Sequence, residues 1–138
     1  MIEFYSETNF ELSDQVRISA WLGNVILEEG KSEGDITYVF CDDAYLHNIN
    51  LEFLQHDTLT DIISFDYSLG NQVHGEIYIS IERVIENASN FNTTFENELH
   101  RVMVHGILHY CGYKDKLEVE ASLMRDKENR ALELLSTL

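Results

Sequence analysis

The stretch HGILHYCGYKD, His105 to Asp115, carries two histidines four residues apart, then a glycine, then a carboxylate. On an α-helix a spacing of four puts His105 and His109 on one face, about 6 Å apart along the axis, within the span of one metal ion. A helix can offer two ligands in this way but not three. Gly112, three residues after His109, suits the left-handed conformation that ends a helix and reverses the chain. That reversal lets Asp115 return to the same ion. Two histidines and one carboxylate, with a position left open for water, form the donor set of a catalytic zinc rather than of a closed structural one.

The same spacing occurs in the metzincin proteases, H-E-x-x-H-x-x-G-x-x-H, where the Glu after the first His is the general base. Here that position is Gly106, which has no side chain to move a proton. The spacing is zincin-like, but Gly106 speaks against peptide hydrolysis.

A chain of 138 residues has enough length for one core, so 1–138 reads as a single domain. Hydrophobic residues at 44%, with seven Phe, seven Tyr and one Trp, mark it as globular. The opening MIEFYSETNFELS lacks the basic-then-apolar order of a signal peptide, and no apolar run approaches the ~18 residues of a membrane span. The expectation is a cytoplasmic monomer with no membrane contact. Cys41 and Cys111 stand far apart without C-x-x-C spacing, which indicates buried thiols and no disulfide framework. Nine Lys and Arg against 25 Asp and Glu give a net charge of −16, which excludes a bulk electrostatic binder of nucleic acid or anionic lipid. RNA contact would need a local basic patch, a bound metal or a protein partner. Proline is absent, so turns fall to Gly, Asn, Asp and Ser.

Along the chain, residues 1–5 alternate as a strand, and a helix starts at Ser13 or Asp14 and runs to 29, with Val16, Ala20, Trp21, Gly23 and Leu27 at helical spacing. Residues 28–34 read as a polar loop and 36–41 as a strand. Asp42 or Asp43 caps a second helix with Leu46, Ile49, Asn50 and Phe53 inward. A polar stretch, 55–61, precedes the short apolar strand IISFDY, and SLGNQ is a turn. In 75–81, Ile77, Ile79 and Ile81 share one face of a strand, and Tyr78 and Ser80 the other. The next helix, from Ser80 or Glu82 to Asn90, directs Val84, Ile85 and Ala88 inward. Thr93 with Glu96 forms a capping box ahead of the helix that holds Leu99, Val102, Met103 and both histidines. A last helix spans 118–135 with Leu123, Met124, Ala131, Leu134 and Leu135 apolar. Four strands interleaved with about five helices predict an α/β (α+β) class, one four-stranded mixed sheet covered by helices with the metal site on a central helix.

These motifs resemble the YbeY family of bacterial metal-dependent endoribonucleases, whose signature is similar to H-G-x-L-H-x-x-G-Y-D-H. The match lies at His105, Gly106, Leu108, His109, Gly112 and Tyr113. TDIISF, 60–65, resembles the family's T-D-V-L-S-F, and GEIYIS, 75–80, its G-D-I-x-I. The resemblance implies a hydrolase, a single-strand-specific zinc-dependent endoribonuclease with one Zn2+ per chain, acting in the maturation of small-subunit ribosomal RNA and in ribosome quality control. It also implies a partnership with the small ribosomal subunit through a ribosomal protein. Three departures stand out. Asp115 replaces the family's third His, Lys114 replaces the preceding Asp, and Phe53-Leu54 stands where the family has a Tyr-Arg pair associated with cleavage.

Four residues are candidates for catalysis beside the ion. Lys114 and Lys116 flank Asp115 and could reach a bound phosphate, or could form a solvated turn paired to Glu118 or Glu120. Arg101, four before His105, could contact phosphate or pair with Glu98 or Asn97. Glu76 matches the family's acidic strand position and could orient a ligand or take a proton, or be a solvated strand-end carboxylate. Thr60 and Asp61 read as loop-shaping residues, and His47, His56, His74 and His100 fit no ligand spacing. Three functions compete: an RNA hydrolase, an amide hydrolase of metzincin-like spacing, and a ribosome-assembly factor with a structural zinc.

Overall fold

The structure is a computed structural model and describes residues 1–54 and 60–138. Most of the polar stretch at 55–61, with His56, lies outside the described residues. The sheet has the order β1-β2-β4-β3, built from β1 (Ile2–Ser6), β2 (Ser32–Cys41), β3 (Ile62–Asp66) and β4 (Gln72–Ser80). β1 and β4 both pair parallel to β2, and β3 pairs antiparallel to β4, so the sheet is mixed as the interleaved pattern predicts. The helices are α1 (Gln15–Glu28), α2 (Asp43–Ile49), which runs on into a π-helical turn (Asn50–Leu54), α3 (Ile81–Asn90), α4 (Phe95–Tyr110) and α5 (Glu118–Ser136). Among the described residues no helix is long and apolar enough to cross a membrane.

α4 is the centre of the packing. Leu99, Val102, Met103, Val104, Ile107 and Leu108 are all buried, because the helix lies between the sheet and α5 and touches apolar surface on both sides. Two buried hydrogen bonds tie the layers. The Tyr38 hydroxyl donates to the Met103 carbonyl at 2.7 Å, and the Trp21 indole to the Ala131 carbonyl at 2.7 Å. Gly106 sets how closely α4 approaches the sheet. A Cβ there would stand 2.9 Å from Cδ1 of Ile77 and 3.3 Å from Cδ1 of Ile62. A helical glycine costs about 1 kcal/mol relative to alanine, and the close approach is what that cost accompanies here. The other sheet face is covered in part by α2, where Leu46, Ile63 and Cys41 form a smaller cluster with Phe65 and Tyr78.

Several sequence expectations are corrected. β2 begins at Ser32, so the predicted loop at 28–34 is half strand, held by pairing of Ser32 with Gln72. The core stripe of α1 is Ile18, Trp21, Leu22, Val25 and Ile26, whereas Val16 and Leu27 are exposed. Ile81 opens α3 instead of closing the strand, Ile85, Leu123 and Phe53 face outward, and Thr94, not Thr93, accepts the capping bond from the Asn97 amide. Burial of a Leu or Ile such as Leu22 or Ile26 contributes roughly 1.5–3 kcal/mol each, and the inward stripe of five decides the orientation of α1.

Asp42 caps α2, and Ser80 caps α3 while donating its hydroxyl to Asp43 at 2.6 Å. Asp43 also accepts from Arg83 at 2.8 Å, both side chains being largely covered. The hydrogen bond from Arg83 is the largest influence on Asp43 and, with Ser80, outweighs burial, holding its carboxyl below the ordinary 3.8. A lowered carboxylate pKa adds stability that is present above the unfolded value and is lost as pH falls through the folded one. Asp43→Asn should therefore cost about 1–2 kcal/mol near neutral pH in urea unfolding, and the difference from the parent should vanish as pH drops below 3.8.

Candidate metal centre

His105 and His109 lie on consecutive turns of α4, on the side that faces neither the sheet nor the core. The chain reverses after the helix as Gly112 suggests. Gly112 takes φ +104°, its amide donates to the His109 carbonyl at 3.0 Å, and the Tyr113 amide reaches back to the Leu108 carbonyl at 3.1 Å. These bonds satisfy carbonyls that a helix end would otherwise leave open. The Tyr113 hydroxyl donates to Glu29 at 2.6 Å, and Lys127 pairs with the same carboxylate at 3.3 Å. The reversed segment is thus fastened to the end of α1 and to α5, and Asp115 returns to the histidines.

Three donor atoms converge. Nε2 of His105 and Nε2 of His109 are 3.0 Å apart, and Oδ2 of Asp115 is 3.2 Å from each. Ligands about 2.0–2.1 Å from a tetrahedral zinc stand roughly 3.3 Å from one another, so the triangle matches one ion in size. The opposite ring nitrogens show why these atoms are donors to a metal. Nδ1 of His109 faces the Tyr113 carbonyl at 2.9 Å, and Nδ1 of His105 faces Oε2 of Glu128 at 2.6 Å. A carbonyl or carboxylate oxygen only accepts, so both protons sit on Nδ1 and both Nε2 lone pairs point inward with the carboxylate of Asp115. With both rings neutral, three acceptors face one another within 3.2 Å and repel unless a proton on one imidazole or a metal ion lies between them. For His105, burial disfavours the charged ring, but the hydrogen bond it donates to Glu128 and the carboxylates of Glu128, Asp115 and Asp61 outweigh burial and leave its pKa raised.

Glu128 is the residue that the sequence reading missed. It is buried on α5, and its other oxygen accepts from Arg101 at 3.0 Å. Burial alone would push its carboxyl up, but the bonds from His105 and Arg101 hold it below the ordinary range. The sequence did carry a signal. Met124, Glu128, Ala131 and Leu135 form the buried stripe of α5, so Glu128 is a carboxylate on an apolar face, which calls for a partner.

The four catalytic candidates separate. Lys114 and Lys116 are exposed beside Asp115, and among the described residues neither forms an ion pair with Glu118 or Glu120. Arg101 supports the site through Glu128 and Asn129, and does not pair with Glu98 or Asn97. Glu76 is not brought to the site. The alternation of β4 sends Ile77 toward Gly106 and α4, and Glu76 to the opposite sheet face, where it accepts from the Tyr78 hydroxyl at 2.6 Å. Leu54 and Phe53 end the π-helical turn, both exposed, with Phe53 edge-on to Phe65.

The cleft next to His105 and Asp115, about 290 Å³, borders Asp61 and Ile62 at the start of β3. Glu98, Arg101 and Arg125 complete its wall. Burial raises the Asp61 carboxyl. Burial, then the charge of Asp61, raises that of Glu98. Asp61 is therefore more than the loop-shaping residue that its sequence position suggests. Of the remaining histidines, His100 packs edge-on to Trp21 and His74 bonds to Gln72 and to the Asp35 amide. Neither adjoins the cluster. Both cysteines are free, and burial pushes the Cys41 thiol up to about 12 and that of Cys111 to about 11.

Comparison with known proteins agrees with this geometry. Residues 3–136 match the family model described as Endoribonuclease YbeY. An Endoribonuclease YbeY of Flavobacterium psychrophilum is 59% identical over 134 residues, covering 97% of this chain and 96% of its own. That of Flavobacterium johnsoniae is 58% identical over 132 residues, covering 96% and 95%. A Thermotoga maritima protein solved in solution superposes with a TM-score of 0.69 at 27% identity, covering 98% of this chain and 89% of its own. A family match over nearly the whole length and relatives this similar show the lineage: the chain belongs to the YbeY endoribonuclease family.

Proposed function

We propose that this protein is a zinc-dependent endoribonuclease that cuts single-stranded RNA during maturation of small-subunit ribosomal RNA, serves ribosome quality control in the cytoplasm, and reaches its substrate through a ribosomal protein. The observation that carries the reading is the convergence of the two Nε2 atoms and Oδ2 of Asp115 to 3.0–3.2 Å with their backing bonds already made. His105, His109 and Asp115 would hold the ion. A divalent ion there supplies a Lewis acid toward a phosphoryl oxygen and a more acidic water.

The chain's own residues do the rest. Glu128 and the Tyr113 carbonyl orient the imidazoles, and Arg101 keeps Glu128 ionised beneath His105. Lys114 and Lys116 offer ammonium groups to the phosphates flanking the scissile bond. Asp61, at the cleft wall and with a raised carboxyl, is placed to exchange a proton with a leaving or attacking oxygen. A second reading, an assembly factor with a structural zinc, draws on one observation: Phe53 and Leu54 offer no polar group where the family has Tyr-Arg. The two separate in one assay. Incubated with zinc and a single-stranded RNA, the protein should cut it and leave a duplex of the same sequence and casein intact, whereas the assembly factor would bind zinc and cut nothing.

Metal analysis should find one zinc per chain, lost in His109→Ala. Glu128→Gln should keep the three ligands but weaken zinc affinity about 10- to 100-fold, as measured by chelator competition. Equal zinc content in His109→Ala and the parent would remove that residue from the ligand set. Lys114→Ala combined with Lys116→Ala should weaken RNA association while zinc content and melting temperature stay nearly unchanged, since exposed lysines contribute little to folding. If both lysines contact phosphates, the slope of log affinity against log salt should become shallower by about 1.4. An unchanged slope would mean that they are only a solvated turn.

A further inference from the structure

A groove of about 770 Å³ runs between α1 and the outer edge of β1, away from the metal centre. Two independent features meet there. The first is on α1, which is apolar over a wider arc than its core contacts require. Ile18, Trp21, Leu22, Val25 and Ile26 face inward, while Val16, Ala20, Gly23 and Leu27, at spacings of four, three and four, line the groove. Val16 is 88% exposed and Leu27 66%. The sequence pattern groups this second stripe with the core face, and in the folded chain Val16, Ala20 and Leu27 are exposed while Gly23 lies against Glu33.

The second feature is the strand edge. β1 pairs only with β2 among the described residues. The Ile36 amide donates to the Met1 carbonyl and the Glu7 amide to the Phe40 carbonyl, which fixes the phase of the ladder. Positions 1, 3, 5 and 7 turn their backbone toward β2, so the N–H and C=O groups of Ile2, Phe4 and Ser6 point out to the open side. Edges are ordinarily blunted by lysine, proline or a bulge, and IEFYS has none of these.

The charged side chains that line this groove are Glu3 and Glu33, with no Lys or Arg among the described residues; Glu33 is already paired with the Met1 ammonium at 3.2 Å, which leaves Glu3 as the carboxylate without a cation among them. We infer that the groove receives an extended basic segment of a partner protein, which adds to the sheet as a strand along β1, sets alternate apolar side chains against Phe4, Val16 and Leu27, and directs Lys or Arg on the opposite face toward Glu3. Added strands gain affinity from main-chain bonds and specificity from alternate side chains, and this groove offers both. A second copy of the chain is the wrong occupant, because it would bring two bodies of net charge −16 and two acidic rims together.

The test uses the full chain and a capped heptapeptide of alternating lysine and valine, titrated against the isotope-labelled protein by amide chemical shifts. Shifts should be confined to β1 and the outward stripe of α1. The glutamate-valine analogue, and the lysine-valine peptide N-methylated at the alternate amides that face β1, should bind at least about tenfold more weakly. Val16→Asn with Leu27→Asn should lose about tenfold in affinity without altering the fold, since both side chains are exposed. Glu3→Lys is the second variant, should the first lower the melting temperature. Equal binding of the acidic peptide, no effect of either variant, displacement of the peptide by a short single-stranded RNA, or dimerisation in sedimentation that the double variant abolishes would each overturn the proposal.

Discussion

The hydrogen bond between Nδ1 of His105 and the buried carboxylate of Glu128 is the constraint on which the site depends. At 2.6 Å it fixes the ring's rotation and its tautomer together, and so decides that Nε2 faces the point shared with His109 and Asp115. A carboxylate this buried is costly unless it is fully paired, and Arg101 supplies the second partner from the same helix as His105. α4 therefore contributes a ligand and the cation that stabilises the ligand's support, while α5 contributes the support. The packing of these two helices and the geometry of the metal centre are one problem. A shift of α5 along α4 that left every apolar contact equivalent would still misplace Glu128 beneath His105.

The two glycines of the motif act at right angles to each other. Gly106 lets α4 settle onto Ile77 and Ile62, which sets the depth of the histidines relative to the sheet. Gly112 turns the chain at φ +104° and so sets where Asp115 arrives. This also explains in physical terms why position 106 cannot serve as the protease's general base. The residue after the first histidine points into the sheet, where a glutamate would meet Ile77 and be buried unpaired.

Much of this was legible in the sequence, and the misses have identifiable causes. A spacing of four with a glycine and a carboxylate behind it brings the three donor side chains together because each depends on helix geometry within one short stretch. The strand and helix order was legible because the apolar runs differ clearly in period. The face of α1 was not, because Val16, Ala20, Gly23 and Leu27 compete with Ile18, Trp21, Leu22, Val25 and Ile26 at equally good spacing, and only the sheet beneath decides between them. Glu76 lies in a motif of the right order, but a strand alternates, and register across β2 and β3 decides which side it takes. Glu128 depends on a contact between residues 23 apart in sequence, which local spacing does not reveal.

Charge gives the last step. With 25 acidic residues against nine basic ones, the cations are too few to be scattered, and their engagement can be followed one by one. Arg83 is held by Asp43, Arg101 and Arg125 by Glu128, Lys127 by Glu29 and Arg130 by Glu28. Arg17 donates to the Leu135 carbonyl and Lys31 to Asn71. Two cations remain without a partner among the described residues, Lys114 and Lys116, and they flank the one exposed ligand of the metal triangle. A chain that is repulsive to polyanions over most of its surface thus concentrates its uncommitted positive charge at the place where an ion would add more.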